Sequence, residues 1–148
     1  MQKNSIAIDP ASSEDFEFAK EIVFSEMSQY YAEAGIDWSD VSFAEGWKLT
    51  RGYIVCIADS RVGYFSIRTE KDFLYIQDIH VLKDYRNKGV GRFAIDFIVD
   101  LLLTTDAMGI RLKVFKNNGA VKFYERLGFT KVFSDPLFFG MEYRNSLR

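Results

Sequence analysis

The sequence predicts a single α/β domain spanning residues 1–148, a mixed sheet of about seven strands with about four helices on its two faces. Three observations carry that reading. Phe73-Leu74-Tyr75-Ile76-Gln77-Asp78-Ile79-His80-Val81 is rich in aromatic and β-branched residues, as a buried strand is. It runs through a basic turn into a stretch where Val90, Phe93, Ala94, Phe97, Ile98, Leu101 and Leu102 repeat at helical spacing. A further strand pattern at 110–115 follows that helix, and a strand–helix–strand unit crosses over in parallel, so 110–115 should lie parallel to 73–81. Upstream, the runs 52–58 and 62–67 flank the turn Asp59-Ser60-Arg61, and Glu70-Lys71-Asp72 leads into the central strand, which makes an antiparallel meander of these three.

The chain opens on Ser5-Ile6-Ala7-Ile8, a strand that Asp9-Pro10 should end, because proline removes a ladder donor and biases its neighbour away from helix. Ser12 with Asp15 three residues on is a capping pair, and Phe16, Ala19, Ile22, Val23, Met27 and Tyr30 then fall at helical spacing until Gly35. A shorter helix should begin at Trp38-Ser39-Asp40, with Val41, Phe43, Ala44 and Trp47 as its apolar positions, and end near Thr50. Gly46 inside it costs about 1 kcal/mol of propensity. After the long helix, residues 104–109 return the chain to the sheet. Residues 129–133 and 137–143 read as two last strands around Ser134-Asp135-Pro136.

At 48% hydrophobic and 27% charged, the 148 residues are enough for one core and too apolar for disorder. No stretch reaches the roughly 20 apolar residues of a bilayer span, and Met1-Gln2-Lys3-Asn4-Ser5 leads into no signal-like segment. A soluble, cytoplasmic protein without membrane association is expected. A net charge of −2 argues against general nucleic-acid binding. The charge is unevenly placed: residues 1–50 hold ten acids and three bases, residues 51–148 eleven acids and sixteen bases. Cys56 and His80 are the single cysteine and histidine, too few for a disulfide or a multi-histidine metal site, so no metal is expected and Cys56 reads as a buried structural thiol.

The chain is organised around Val81-Leu82-Lys83-Asp84-Tyr85-Arg86-Asn87-Lys88-Gly89-Val90-Gly91-Arg92. A helix start leaves its first N–H groups without intrahelical partners, and the helix dipole adds positive charge there, so this turn suits an anion. Gly89 and Gly91 remove Cβ atoms that would hold a phosphate away, and Lys83, Arg86, Lys88 and Arg92 stand against one acid, Asp84. A pyrophosphate fits that description best.

Arg86-Asn87-Lys88-Gly89-Val90-Gly91 resembles the Arg/Gln-x-x-Gly-x-Gly/Ala signature with which the GNAT superfamily of N-acetyltransferases grips the pyrophosphate of acetyl-CoA. Asn117-Asn118-Gly119-Ala120-Val121-Lys122-Phe123-Tyr124-Glu125-Arg126-Leu127-Gly128-Phe129 is similar to the family's Asn-x-x-Ala-x-x-x-Tyr-x-x-x-Gly-Phe segment, with every marked position filled. The resemblance implies acetyl-CoA as acyl donor, held by Arg86, Asn87, Lys88, Gly89, Val90 and Gly91. It implies that the strands at 73–81 and 110–115 splay apart, so that the pantetheine arm pairs with the backbone of Ile79 and Val81. An N–H near Val81 would polarise the thioester carbonyl. By the same resemblance Tyr124 is the acid that serves the departing thiolate, and Asn117 orients the cofactor while capping the helix after it.

The base stays open. Many relatives, the spermidine/spermine acetyltransferase branch among them, carry a Glu where this chain has Gln77, and an amide cannot take a proton. Asp78 and His80 remain, directly or through water. In the family the first two helices wall the acceptor side, and here they carry Glu14, Asp15, Glu17, Glu21, Glu26, Glu33, Asp37, Asp40 and Glu45. A small cationic primary amine is the expected acceptor, drawn by that negative field and contacted by Glu26, Tyr30, Tyr31 and Gln77. The alternatives are a solvated acidic surface, a peptide or protein amine as acceptor, and an acyl-CoA-sensing module without turnover. A homodimer, common in the family, is also open.

Overall fold

The computed structural model describes residues 5–145, so the reading of the N-terminus that rests on residues 1–4 lies outside the described residues. The elements in chain order are β1 (Ile6–Pro10), α1 (Phe16–Glu33), α2 (Asp40–Leu49), β2 (Arg51–Ile57), β3 (Ser60–Glu70), β4 (Phe73–Val81), α3 (Val90–Leu103), β5 (Gly109–Phe115), α4 (Ala120–Arg126), β6 (Thr130–Ser134) and β7 (Phe138–Arg144). The sheet has seven strands in the order β1-β2-β3-β4-β5-β7-β6. Only β4 and β5 pair in parallel, as the crossover through α3 requires.

Local chemistry explains the boundaries. The Ser12 amide donates to the Asp15 carboxylate at 2.9 Å, and a 3-10 turn at Ser13–Asp15 leads into α1. Ser39 caps α2 by accepting from the Ser42 amide at 3.3 Å. The β2–β3 hairpin is tighter than the sequence suggests: only Ala58 and Asp59 separate the strands, with Ala58 left-handed at φ 53°. Lys71, at φ 54°, opens the matching two-residue turn into β4. In α2 Val41 points to solvent and Phe43 alone is buried; in α3 Ile95 is buried while Phe93 is exposed, because the stripe facing the sheet lies slightly off the expected one.

Two cores lie on opposite faces of the sheet. Under α3 and α4 the core is mainly aliphatic, with Ile67, Leu74, Ile76, Ile95, Ile98, Leu102, Ile110, Leu112 and Met141 among its buried residues. Under α1 and α2 a smaller core joins Ala19, Ile22, Val23, Phe43, Ile54 and Tyr64, flanked by Phe16, Trp38 and Trp47.

The feature that matters for function is where the parallel pairing stops. β4 and β5 are in register only from Phe73↔Gly109 to Ile76↔Leu112. Beyond that point β4 follows β3 as far as Val81, and β5 follows β7 as far as Phe115. The register between β3 and β4 slips at the same place: Ile67 pairs with Ile76 but Ser66 pairs with Asp78, leaving Gln77 as a bulge. A bulge bends its strand and increases its twist, so the extra residue turns β4 away from β5.

Ile98 is fully buried between α3 and the sheet. Ile98→Ala should lower the unfolding free energy by about 2 to 5 kcal/mol in urea denaturation, since the neighbours cannot close the cavity. A loss below about 1 kcal/mol would contradict this placement.

Candidate active site

The basic turn forms the mouth of the fork. A 3-10 turn at Lys83–Tyr85 carries the chain out of β4, Asn87 adopts φ 61°, and Gly89 caps α3 at φ 83°. The first α-type bond of the helix runs from the Phe93 amide to the Gly89 carbonyl at 3.0 Å, which leaves the amides of Val90, Gly91 and Arg92 at the helix head without intrahelical partners. The two glycines serve different ends. A Cβ at Gly89 would meet nothing within 4 Å, so its left-handed backbone is the constraint and the space beside it is open. A Cβ at Gly91 would come 3.1 Å from the Phe123 ring, which would have to shift by a few tenths of an ångström, so the packing of α3 on α4 also favours a small residue there.

Arg86 does not hang free in this turn. Its Nε donates to the Val81 carbonyl at 3.1 Å, and its guanidinium forms an ion pair with Glu26 on α1. Glu26, expected beside the acceptor, is thereby tied to the anion turn.

The bulge decides which side chains of β4 face which core. Leu74 and Ile76 lie against the α3 side; after Gln77 the alternation is reset, so Ile79 and Val81 again face α3 while Asp78 and His80 face α1 and α2, opposite Ser66 and Tyr64. The Asp78 Oδ1 and His80 Nε2 are 3.4 Å apart. The structure thus brings both candidate bases together on the α1 and α2 side of the fork, while the backbone of Ile79 and Val81 has no β5 partner.

Tyr124 is buried in α4 and packs against Phe123 and Phe129. Asn117 is exposed and does not cap α4; the neighbouring Asn118 does, its side-chain oxygen accepting from the Ala120 amide at 2.9 Å. The capping role assigned to Asn117 is therefore corrected by one residue. Tyr30 stacks on Phe115 at the end of β5, at 5.3 Å between ring centroids, and Tyr31 meets Phe115 edge-on and stacks on Trp38. Gln77 has its amide oxygen held by Arg68.

Most acids of α1 and α2 are engaged elsewhere or face solvent. Lys20 lies 3.3 Å from Glu17 and 3.7 Å from Asp40, and Arg61 is 2.8 Å from Asp15. Asp78, by contrast, lines a partly open cavity of about 40 Å³ together with Tyr31, Trp38, Phe43, Trp47 and Tyr64. Among the described residues no group of three His, Cys, Asp or Glu is placed to hold a metal ion, and no helix is long and apolar enough to cross a membrane.

With that geometry in hand, the sequence profile of the acetyltransferase (GNAT) family matches residues 18–129, three quarters of the chain. The chain belongs to the GNAT family. Solved structures agree on the fold. The PaiA N-acetyltransferase of Thermoplasma acidophilum, in complex with coenzyme A, superposes with a TM-score of 0.77 at 18% identity over 95% of this chain and 99% of that one. The Naa50 of Arabidopsis thaliana, in complex with the bisubstrate analogue CoA-Ac-MVNAL, gives 0.77 at 20% identity over 95% and 99%. The ribosomal-protein-S18-alanine N-acetyltransferase of Escherichia coli gives 0.74 at 20% over 94% and 93%. No curated protein sequence matches.

In this GNAT acetyltransferase burial is the main influence on the phenols around the fork, with the Asp78 charge adding to it. Burial first, and then the charges of Asp78 and Tyr75, push the Tyr31 phenol up to about 12. Burial and the Asp78 charge raise Tyr124 well above the ordinary phenol range, and burial raises Tyr64 against the opposing pull of the Ser66 and Thr50 hydroxyls. Tyr124 therefore keeps its proton at any physiological pH. Cys56 is half-buried rather than buried, and burial raises its thiol, which leaves it protonated and away from the fork. The sequence reading missed Ser66, Tyr64, Trp38, Phe43 and Trp47 as cavity residues. The interval in the apolar positions 74, 76, 79 and 81, which skips one residue at 77, is the signal that marks the bulge and hence the side on which Asp78 lies.

These phenols hold their protons more tightly folded than unfolded, where the pKa is about 10. The stability they contribute is complete below that pH and lost as the pH rises through their folded values. Thermal midpoints should fall from about pH 9.5 upward, and less steeply for Tyr124→Phe, which removes one such group. Identical slopes for the two proteins would contradict the burial of this phenol.

Proposed function

We propose that the chain moves the acetyl group of acetyl-CoA to the primary amine of a small, cationic molecule by direct attack in a ternary complex. The observation that carries this reading is the position of Asp78, one carboxylate at the fork facing a cavity of about 40 Å³ walled by aromatic rings. The acidic belt of α1 and α2 is not the acceptor site; Asp78 and the rings supply charge and cation–π attraction instead.

The residues present fit acetyl-CoA. Strand β4 beyond Ile76 offers backbone groups that β5 leaves unpaired, at Ile79 and Val81, to an extended chain carrying its own amides. The amides at the head of α3 and the open space at Gly89 suit a diphosphate, with Arg86, Asn87, Lys88, Val90 and Gly91 around it. Asn117, exposed at the end of β5, is assigned to the same cofactor. Acetyl-CoA supplies the activated acetyl thioester.

An alkylamine must lose a proton before it attacks, which costs about 4 to 5 kcal/mol at neutral pH. Asp78 accepts that proton, and His80, 3.4 Å away, passes it on. Tyr124 stays protonated and donates a hydrogen bond to the departing sulfur. A thiol has a pKa of about 8.5, below that of the raised phenol, so the thiolate is stabilised by this bond without taking the proton outright.

A thiol-release assay with acetyl-CoA across alkylamines, polyamines, amino alcohols and peptide amines tests the reading. Asp78→Asn should lower kcat/KM by about 10² to 10⁴ with acetyl-CoA affinity unchanged, and Tyr124→Phe should lower kcat by about tenfold or more. Preference for peptide amines over every small amine would establish the protein-acceptor alternative, in keeping with the two neighbours whose acceptors are protein or peptide. Tight acetyl-CoA binding without thiol release under any amine would establish a sensing module.

A further inference from the structure

The ladder between β3 and β4 determines which backbone groups of β4 face the fork. The Leu82 amide donates to the Val62 carbonyl at 2.8 Å, and Val81 stands opposite Gly63. In an antiparallel pair, residues that bond across the ladder alternate with residues whose N–H and C=O point the other way. Val81 is of the second kind, and so is Ile79, two residues back and opposite Phe65. Their amides and carbonyls therefore point to the side where pairing with β5 has ended.

One of these groups is already in use. The Val81 carbonyl accepts from the Arg86 Nε at 3.1 Å. That carbonyl and the Leu82 amide belong to one peptide plane, which is therefore bonded on both edges, to β3 through its N–H and to Arg86 through its C=O. A strand end bonded on one edge alone opens easily. Here the last plane of β4 is clamped, and the Val81 N–H, on the plane before it, keeps its direction into the fork. Arg86 is itself held. The Tyr85 amide bonds to the Leu82 carbonyl at 2.9 Å, closing the turn that returns Arg86 to the strand, and Glu26 on α1 pairs with the guanidinium. A diphosphate would have to displace Glu26 to use that charge, whereas the amides at the head of α3 have no intrahelical partners to give up.

We propose that Arg86 is a positioning residue for acetyl transfer: it clamps the end of β4 so that the Val81 N–H donates to the thioester carbonyl, and it is not a ligand of the diphosphate. This rests on the reading that acetyl-CoA lies along β4 with its thioester at Val81. A backbone donor aimed beforehand at a developing oxyanion acts on the transition state more than on the bound ground state, so its misalignment shows in kcat rather than in affinity.

Two variants separate the roles. Arg86→Met matches the side chain out to the position of Nε and removes the donor; Arg86→Gln puts an amide nitrogen at that position without the positive charge. With the fastest amine of the panel as acceptor, Arg86→Met should lower kcat by about tenfold or more, while the Kd for coenzyme A from calorimetry stays within about threefold. Arg86→Gln should bring kcat back to within about threefold of the wild type. The ion pair with Glu26 is partly exposed, so both variants should fold and melt within about 5 °C of the wild type.

Amide hydrogen exchange followed by NMR needs no turnover. Without ligand, the Leu82 amide should exchange about tenfold or more faster in Arg86→Met and near the wild-type rate in Arg86→Gln. In the wild type, acetyl-CoA should slow exchange at the Val81 amide. Coenzyme A affinity weakened about tenfold or more in both variants with kcat unchanged would make Arg86 a diphosphate ligand and overturn the inference. Unchanged exchange at Leu82 in Arg86→Met would overturn it too, and either result leaves acetyl-CoA along β4. Acetyl-CoA that leaves the Val81 amide unprotected would overturn that placement and the inference with it.

Discussion

The constraint on which this molecule depends is a single surplus residue in its central strand. Gln77 has no partner on β3, and the parallel ladder to β5 ends at the pair just before it, Ile76↔Leu112. One bulge therefore does two things at once. It parts two strands that would otherwise continue side by side, exposing backbone groups that an extended ligand can use. It also resets the alternation of side chains, so that Ile79 and Val81 return to the aliphatic core and Asp78 and His80 come to the other face. Without the bulge the carboxylate would be aimed into the packing under α3, where an unpaired charge is costly. The opening and the acid are consequences of the same residue.

The two faces of the sheet are built for different work. The α3 and α4 face is packed with branched aliphatic side chains, which hold fixed rotamers and a fixed spacing between helix and sheet. That rigidity keeps the amides at the head of α3 aimed at one place. The α1 and α2 face is smaller and aromatic, with Phe16, Trp38, Phe43, Trp47 and Tyr64 in mutual ring contact. Rings leave gaps of irregular shape and offer flat, electron-rich walls to a cation. A pocket with one carboxylate belongs on that side, and that is where it lies.

Much of this was legible in the residues themselves. The strand–turn–helix at 73–103, the parallel crossover and the meander follow from hydrophobic period and turn chemistry, and all appear in the structure. Local signals also fixed the Ser12–Asp15 and Ser39 caps. What the sequence could not convey was direction. Nine acids on the first two helices suggested a negative acceptor wall, but a list of charges does not say that Lys20 and Arg61 hold three of them or that Arg86 holds Glu26. Ser66 attracted no notice because a serine in a strand is ordinary; only its burial and its missing partner make it informative. Asn117 and Asn118 are equivalent candidates for a cap by residue type, and a one-residue difference in backbone path chose the second.

The pair of Arg86 and Glu26 links the two halves of the site more directly than their sequence separation suggests. Glu26 is on α1, one turn before Tyr30 and Tyr31, which cover Phe115, and Tyr31 also lines the cavity. Arg86 is in the anion turn and also holds the Val81 carbonyl at the end of β4. An exposed ion pair contributes little to stability, at most about 1 kcal/mol, so its place in the fold is better understood as geometry than as strength. On the proposed placement of acetyl-CoA, its diphosphate and Glu26 would compete for the same guanidinium. Arg86 thus ties the end of β4 to α1, the helix whose Tyr31 lines the cavity beside Asp78.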